Sequence, residues 1–238
     1  LVDDAATSLD HAAAASDFID RFRQLARNTL DRGINLHHPQ YVGHQVPASL
    51  PSAALFDLIG AATNQVMAIY EMGPWASAVE KAVLAAVGEQ LGFAPGTFAG
   101  PVTSGGSLAN LTAILTARNV TLGDAWSRGL SDRKPAPVLV THAESHYSVL
   151  RTAGVLGLGT EQIVRVGLDA QRRMNPNQLD DTLTDLRSRG VPVVAVCAGA
   201  CATPIGAFDP LEELADVCAR HEVWLHVDAA HGGAACFS

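Results

Sequence analysis

Val191-Pro192-Val193-Val194-Ala195-Val196-Cys197 is apolar along its whole length. A strand apolar on both faces belongs inside a parallel sheet covered by helices on both sides. The segments around it keep that rhythm. Upstream, Asn175-Pro176 is a cap with proline at the first helical position. Leu179, Leu183 and Leu186 then recur at helical spacing until Gly190 stops the run. Downstream, Asp209-Pro210 opens a helix through Leu211, Leu214, Val217 and Cys218, and residues 223–227 form the next strand. Strands are also predicted at 138–140 and 163–166, with helices at about 108–120 and 147–156. This alternation from residue 100 onward predicts an α/β fold, a mostly parallel sheet flanked by helices with right-handed crossovers.

The chain before residue 100 reads differently. Ser16-Asp17 caps a helix with Phe18, Ile19, Phe22 and Leu25 on one side, and Gly33 ends it. Residues 36–47 hold two prolines, a glycine and three histidines, which predicts a loop suited to ligand contact. Two largely apolar helices follow at 55–72 and 75–91, separated by Gly73-Pro74.

Composition narrows the function classes. Of 238 residues, 48% are hydrophobic and 17% charged, which excludes a disordered chain. The net charge is −8 and no Lys/Arg cluster exists, so nothing marks a nucleic-acid surface. No apolar run reaches the length of a membrane span, roughly 18–20 residues. The four cysteines lack Cys-x-x-Cys spacing, which predicts a reduced, cytoplasmic protein without a cysteine metal site.

Four segments carry candidate chemistry. Thr103-Ser104-Gly105-Gly106-Ser107-Leu108-Ala109-Asn110 places two glycines before a helix, where free N–H groups and the helix dipole suit a phosphate; an ordinary capped turn is the alternative. His226-Val227-Asp228 ends an apolar strand, the edge where open α/β sheets bind ligands. A carboxylate there needs a partner: a protonated ring nitrogen, a metal or a hydroxyl. A metal site from His226, Asp228 and His231 is a minor reading, because no third-ligand spacing supports it. His146, in Thr141-His142-Ala143-Glu144-Ser145-His146-Tyr147-Ser148, suits a ligand-stacking ring, an acid–base group or a hydrogen-bonded structural histidine. Ala202-Thr203-Pro204-Ile205-Gly206-Ala207-Phe208-Asp209-Pro210 follows the third strand.

Together these motifs resemble the group II pyridoxal-phosphate amino-acid decarboxylases, in order and spacing as well as in residue type. The matching segments are 103–107, 145–148, 206–210 and 226–230, with His38-Pro39-Gln40-Tyr41 and Tyr70-Glu71-Met72-Gly73-Pro74 before them. The resemblance implies a fold type I, pyridoxal-phosphate-dependent-transferase-like large domain, here in part. Residues 1–50 would be an N-terminal helical segment and substrate loop, and 51–238 the first part of the cofactor-binding domain. Gly105, Gly106 and Ser107 would hold the cofactor phosphate, Asp228 the pyridine nitrogen, His146 would stack on the ring, and Thr203 would lie near it. His38, His44 and Gln45 would face the substrate. The implied reaction is α-decarboxylation of an L-amino acid by a homodimer, with the 2,4-diaminobutyrate branch nearest in the loop.

The chain also departs from that pattern. Its only lysines are Lys81 and Lys134, both read as surface residues. The family's Schiff-base lysine is expected about thirty residues past Asp228, so the sequence reads as the N-terminal portion of a longer enzyme. Gly199 and Cys201 stand where relatives usually carry Thr and Gly. Another fold type I enzyme, a lyase or aminotransferase, and a non-catalytic homologue are the competing readings.

Overall fold

The computed structural model describes residues 15–43 and 46–238. The chain divides into two compact units, 1–65 and 66–238. In the first, α1 spans Ala15–Arg32 and α2 spans Pro51–Thr63. Proline at the start of α2 fits its first turn, where the N–H has no intrahelical acceptor. The apolar run predicted as one helix over 55–72 stops at Thr63. Asn64 adopts the left-handed conformation (φ 46°, ψ 47°) and its N–H bonds to the Gly60 carbonyl. Asparagine tolerates that conformation better than most residues, so it closes the helix despite the apolar residues beyond. The remainder supplies only a short 3₁₀ turn, Tyr70–Met72, in the second unit.

That unit begins with α3 (Pro74–Gln90) and continues α4 (Gly106–Leu122), α5 (Ala125–Arg128), β1 (Val138–His142), α6 (Tyr147–Val155), β2 (Ile163–Val166), α7 (Pro176–Ser188), β3 (Val193–Gly199), α8 (Leu211–His221) and β4 (Leu225–Asp228). The four strands form one sheet in the order β2-β1-β3-β4, every pair parallel. Their carboxyl ends therefore share one edge. The order reverses between β1 and β3, the switch point at which open α/β sheets bind ligands.

Two apolar layers cover the sheet. Leu139 and Cys197 pack with Ile114 and Ala117 of α4, Ala125 of α5 and Val149 and Ala153 of α6. Val138, Val140, Val196 and Ala198 pack with Leu179, Leu183 and Leu186 of α7 and Leu214 and Val217 of α8. Alternate strand residues thus serve opposite layers, and both faces are buried, as the unbroken apolar run of β3 requires. β3 and β4 lie two residues and one to two residues later than the sequence predicted, at 193–199 and 225–228. Pro192 cannot donate to a ladder, and the strand starts after it.

Candidate active site

The register fixes which side chains meet. Cys197 pairs with His226 and Gly199 with Asp228, so His226 and Asp228 point with Cys197 toward the α4 layer. There they meet Asn110. This residue lies one turn before Ile114 and two before Ala117 on the buried face of α4, and is itself 3% exposed. Asn110 Nδ2 donates to Asp228 Oδ2 at 2.8 Å and to Ser148 Oγ at 2.9 Å. His226 Nε2 lies 2.8 Å from Asn110 Oδ1. The other Asp228 oxygen accepts from Ala230 N at 3.2 Å, and Ala200 N donates to the Asp228 carbonyl at 2.9 Å. A carboxylate partly open at the edge is thereby held from two sides.

Burial lowers the pKa of His226 against the pull of the Asp228 charge, so it is the neutral imidazole at pH 7. Burial, with the Asp228 charge second, pushes the Cys197 thiol up to about 12. Cys197 is an inert packing residue.

His146 caps α6, its Nδ1 accepting from Ser148 N at 3.3 Å and lying 2.7 Å from Ser148 Oγ. Its ring packs tilted against Tyr147, with centroids 4.2 Å apart. Asn110 and Ser148 thus join His146 to Asp228, two residues the sequence set on separate strand ends.

The glycine loop forms the start of α4. Gly105 is its N-cap at φ 150°, ψ 162°, a conformation closed to side-chain-bearing residues, and no side chain caps the helix. The first N–H groups of α4 have no acceptor within the helix, so its positive end is available to an anion. The loop abuts the segment after Asp228: a methyl group at Gly106 would come within 2.8 Å of the Ala230 Cβ. Ser107 is half-buried in that first turn. Thr203 sits exposed in the turn after β3, at the same sheet edge.

A second histidine–carboxylate pair lies on the opposite layer. Asp209, expected only to open the next helix, is buried. Its Oδ2 is 3.0 Å from His142 Nε2 and accepts from Gly199 N at 2.7 Å; its Oδ1 accepts from Met174 N at 2.7 Å. Glu144 N donates to His142 Nδ1, so the proton of the neutral ring is on Nε2, directed at Asp209. Burial raises the Asp209 pKa, but these hydrogen bonds outweigh it and hold the carboxyl below its ordinary value.

His38 lies exposed in the first unit, its Nδ1 accepting from Gln40 N at 3.2 Å. His44 and Gln45 fall outside the described residues. Among the described residues no three His, Cys, Asp or Glu side chains converge to hold a metal ion, and the His226–Asp228–His231 reading finds no support. No helix among them is long and apolar enough to cross a membrane. Asn110 and Ser148 are the site residues that sequence reasoning missed. The available signal was an amide on the buried stripe of α4, where a polar side chain needs a partner.

The sequence and the fold match known proteins. The pyridoxal-dependent decarboxylase conserved domain matches residues 6–238. The chain is 37% identical to the human (Homo sapiens) acidic amino acid decarboxylase GADL1 over 216 residues, 90% of this chain and 41% of that protein. It is 36% identical to the L-2,4-diaminobutyrate decarboxylase of Rhizobium meliloti (strain 1021) over 216 residues, 90% of this chain and 42% of that one. The crystal structure of mouse CSAD in apo form superposes with a TM-score of 0.87 at 31% identity, covering 96% of this chain and 47% of that one. The chain spans less than half the length of these relatives. On the strength of the domain match, the fold and the ordered site motifs, it belongs to the pyridoxal-dependent decarboxylase family.

Proposed function

We propose that the full-length protein is a pyridoxal-phosphate-dependent carboxy-lyase that removes the α-carboxyl group of an L-amino acid. The observation that carries this is the pairing of Asp228, an acceptor at the strand edge, with the uncapped start of α4 beside it. The donor set fits the cofactor's two charged ends. The N–H groups of Gly106 and Ser107 at the positive end of α4 suit a phosphate dianion. The Asp228 carboxylate suits a protonated ring nitrogen, and the His146 ring offers a flat face. Bound pyridoxal phosphate supplies the electron sink for the pair left behind when carbon dioxide departs.

The chain's own groups set the conditions for that chemistry. Asp228 would stabilise positive charge on the ring nitrogen, which would keep the sink strong. The α4 N-terminus would anchor the phosphate. Thr203 stands at the same edge. His38, His44 and Gln45 form the substrate loop in this reading. Apolar Leu55, Phe56, Leu58 and Ile59 of α2 are exposed, which supports association with a second copy as a homodimer. All four cysteines are free, which supports a reducing compartment, the cytoplasm.

The test uses the full-length protein with pyridoxal phosphate and a panel of acidic, aromatic and diamino L-amino acids. Stoichiometric release of carbon dioxide and the corresponding amine is expected for at least one member. Formation of a keto acid instead would establish an aminotransferase. No cofactor binding at all would establish a non-catalytic homologue.

A further inference from the structure

The hydrogen bonds around Asn110 have only one consistent direction. If its amide were turned over, Oδ1 would face the Asp228 oxygen at 2.8 Å, carbonyl against carboxylate. Nδ2 must therefore point at Asp228, and Oδ1 at His226, whose Nε2 must be the donor. The second Nδ2 proton goes to Ser148 Oγ. That hydroxyl, already accepting, gives its own proton to His146 Nδ1. His146 Nδ1 also faces the Ser148 N–H, so it bears no proton, and a neutral His146 carries its proton on Nε2. A single buried amide, donating twice and accepting once, thus sets the polarity of the bonds to Asp228, His226 and Ser148, while the Ser148 N–H and hydroxyl together set that of the bond to His146.

We propose that Asn110 is a positioning residue that, through its two amide protons, orients Asp228 as an acceptor and, by donating to Ser148 Oγ, leaves the hydroxyl proton for His146 Nδ1, which reinforces the Nε2–H tautomer that the Ser148 N–H favours. It touches neither substrate nor cofactor and acts through these two groups. The proposal rests on the reading of Asp228 and His146 as cofactor-facing groups. Pairing one polarity with both ends ensures that the carboxylate meets a cationic nitrogen while the histidine presents N–H, not a lone pair, from Nε2.

The test compares wild-type, Asn110→Asp and Ser148→Ala full-length proteins in the apo form. One readout is the pyridoxal phosphate dissociation constant from fluorescence titration. The other is the ¹⁵N NMR spectrum of the His146 imidazole. Asn110→Asp keeps the shape but sets an acceptor against Asp228, and the expected result is cofactor binding weaker by about tenfold or more. Wild type is expected to show the Nε2–H tautomer, and both variants a mixture of tautomers, because the residue-148 N–H alone then holds Nδ1. If Asn110→Asp does not fold, Asn110→Ser, too short to reach both partners, serves for the same comparison. Cofactor affinity within about twofold of wild type, or an unchanged His146 tautomer in Ser148→Ala, would overturn the proposal. If wild type binds no cofactor, the functional reading fails, and the tautomer comparison still decides the role of Asn110.

Discussion

Two histidine–carboxylate clusters stand at the carboxyl edge of one sheet, on opposite layers, and they differ in what they leave free. Asp209 has both oxygens committed, to His142, Gly199 N and Met174 N, and is 6% exposed. It ties the end of β1 to the end of β3 and to the turn before α7. Asp228 is only partly buried and is held by one amide and one backbone N–H. A carboxylate has about four acceptor positions, so Asp228 keeps acceptor capacity at the carboxyl edge of the sheet. A saturated carboxylate is architecture; one oriented but unsaturated is a binding group.

The widest separation of the two is expected in activity. Asp228→Ala in the full-length protein should lower kcat/KM by about 10²–10³-fold or more, the range for losing a preorganised electrostatic contact. Its denaturant midpoint should fall less than that of Asp209→Ala, since only the Asn110 amide and the Ala230 N–H lose an acceptor. Equal losses of activity and stability would erase the distinction drawn here. For Asp209→Ala the balance reverses. Three donors would lose their acceptor in a dry interior, and chemical denaturation should show a loss of about 3–5 kcal/mol.

Acid should reach the structural cluster in a defined window. Asp209 has a folded-state pKa below its unfolded value, so its stabilisation is complete above the ordinary carboxylate range and is lost as pH falls through the folded pKa. Unfolding free energy measured between pH 6 and pH 3 should therefore fall less steeply in Asp209→Asn than in wild type. An identical slope would remove Asp209 from the acid response.

The smallest effect sharpens the comparison at the loop between the clusters. Cys201 holds φ 73°, the left-handed region that favours glycine. Cys201→Gly should stabilise the fold by up to about 1 kcal/mol, visible as a small rise in Tm. A fall would mean that the cysteine side chain contributes packing that outweighs its backbone strain.

The layered fold was legible because each element advertises its surroundings. β3 is apolar on both faces, and α7 carries Leu179, Leu183 and Leu186 on one stripe that proves buried. Helix boundaries were less so. Asn64 ended α2 through a single backbone conformation that the apolar pattern around it did not announce. The apolar residues of α2 itself, Leu55, Phe56, Leu58 and Ile59, read like core yet are exposed. Periodicity records that a face is apolar, not what covers it.

The sequence by itself determined the parallel α/β layers, the glycine entry to α4 and the strand-end placement of Asp228, because these depend on local patterning and short motifs. Only the tertiary structure decided that Asp209 is spoken for and that Asn110 and Ser148 connect Asp228 with His146. Those partners lie 67, 118 and 38 residues apart along the chain. Hydrogen-bond satisfaction in a buried interior is settled by which strands and helices come to lie side by side, and no local pattern encodes it.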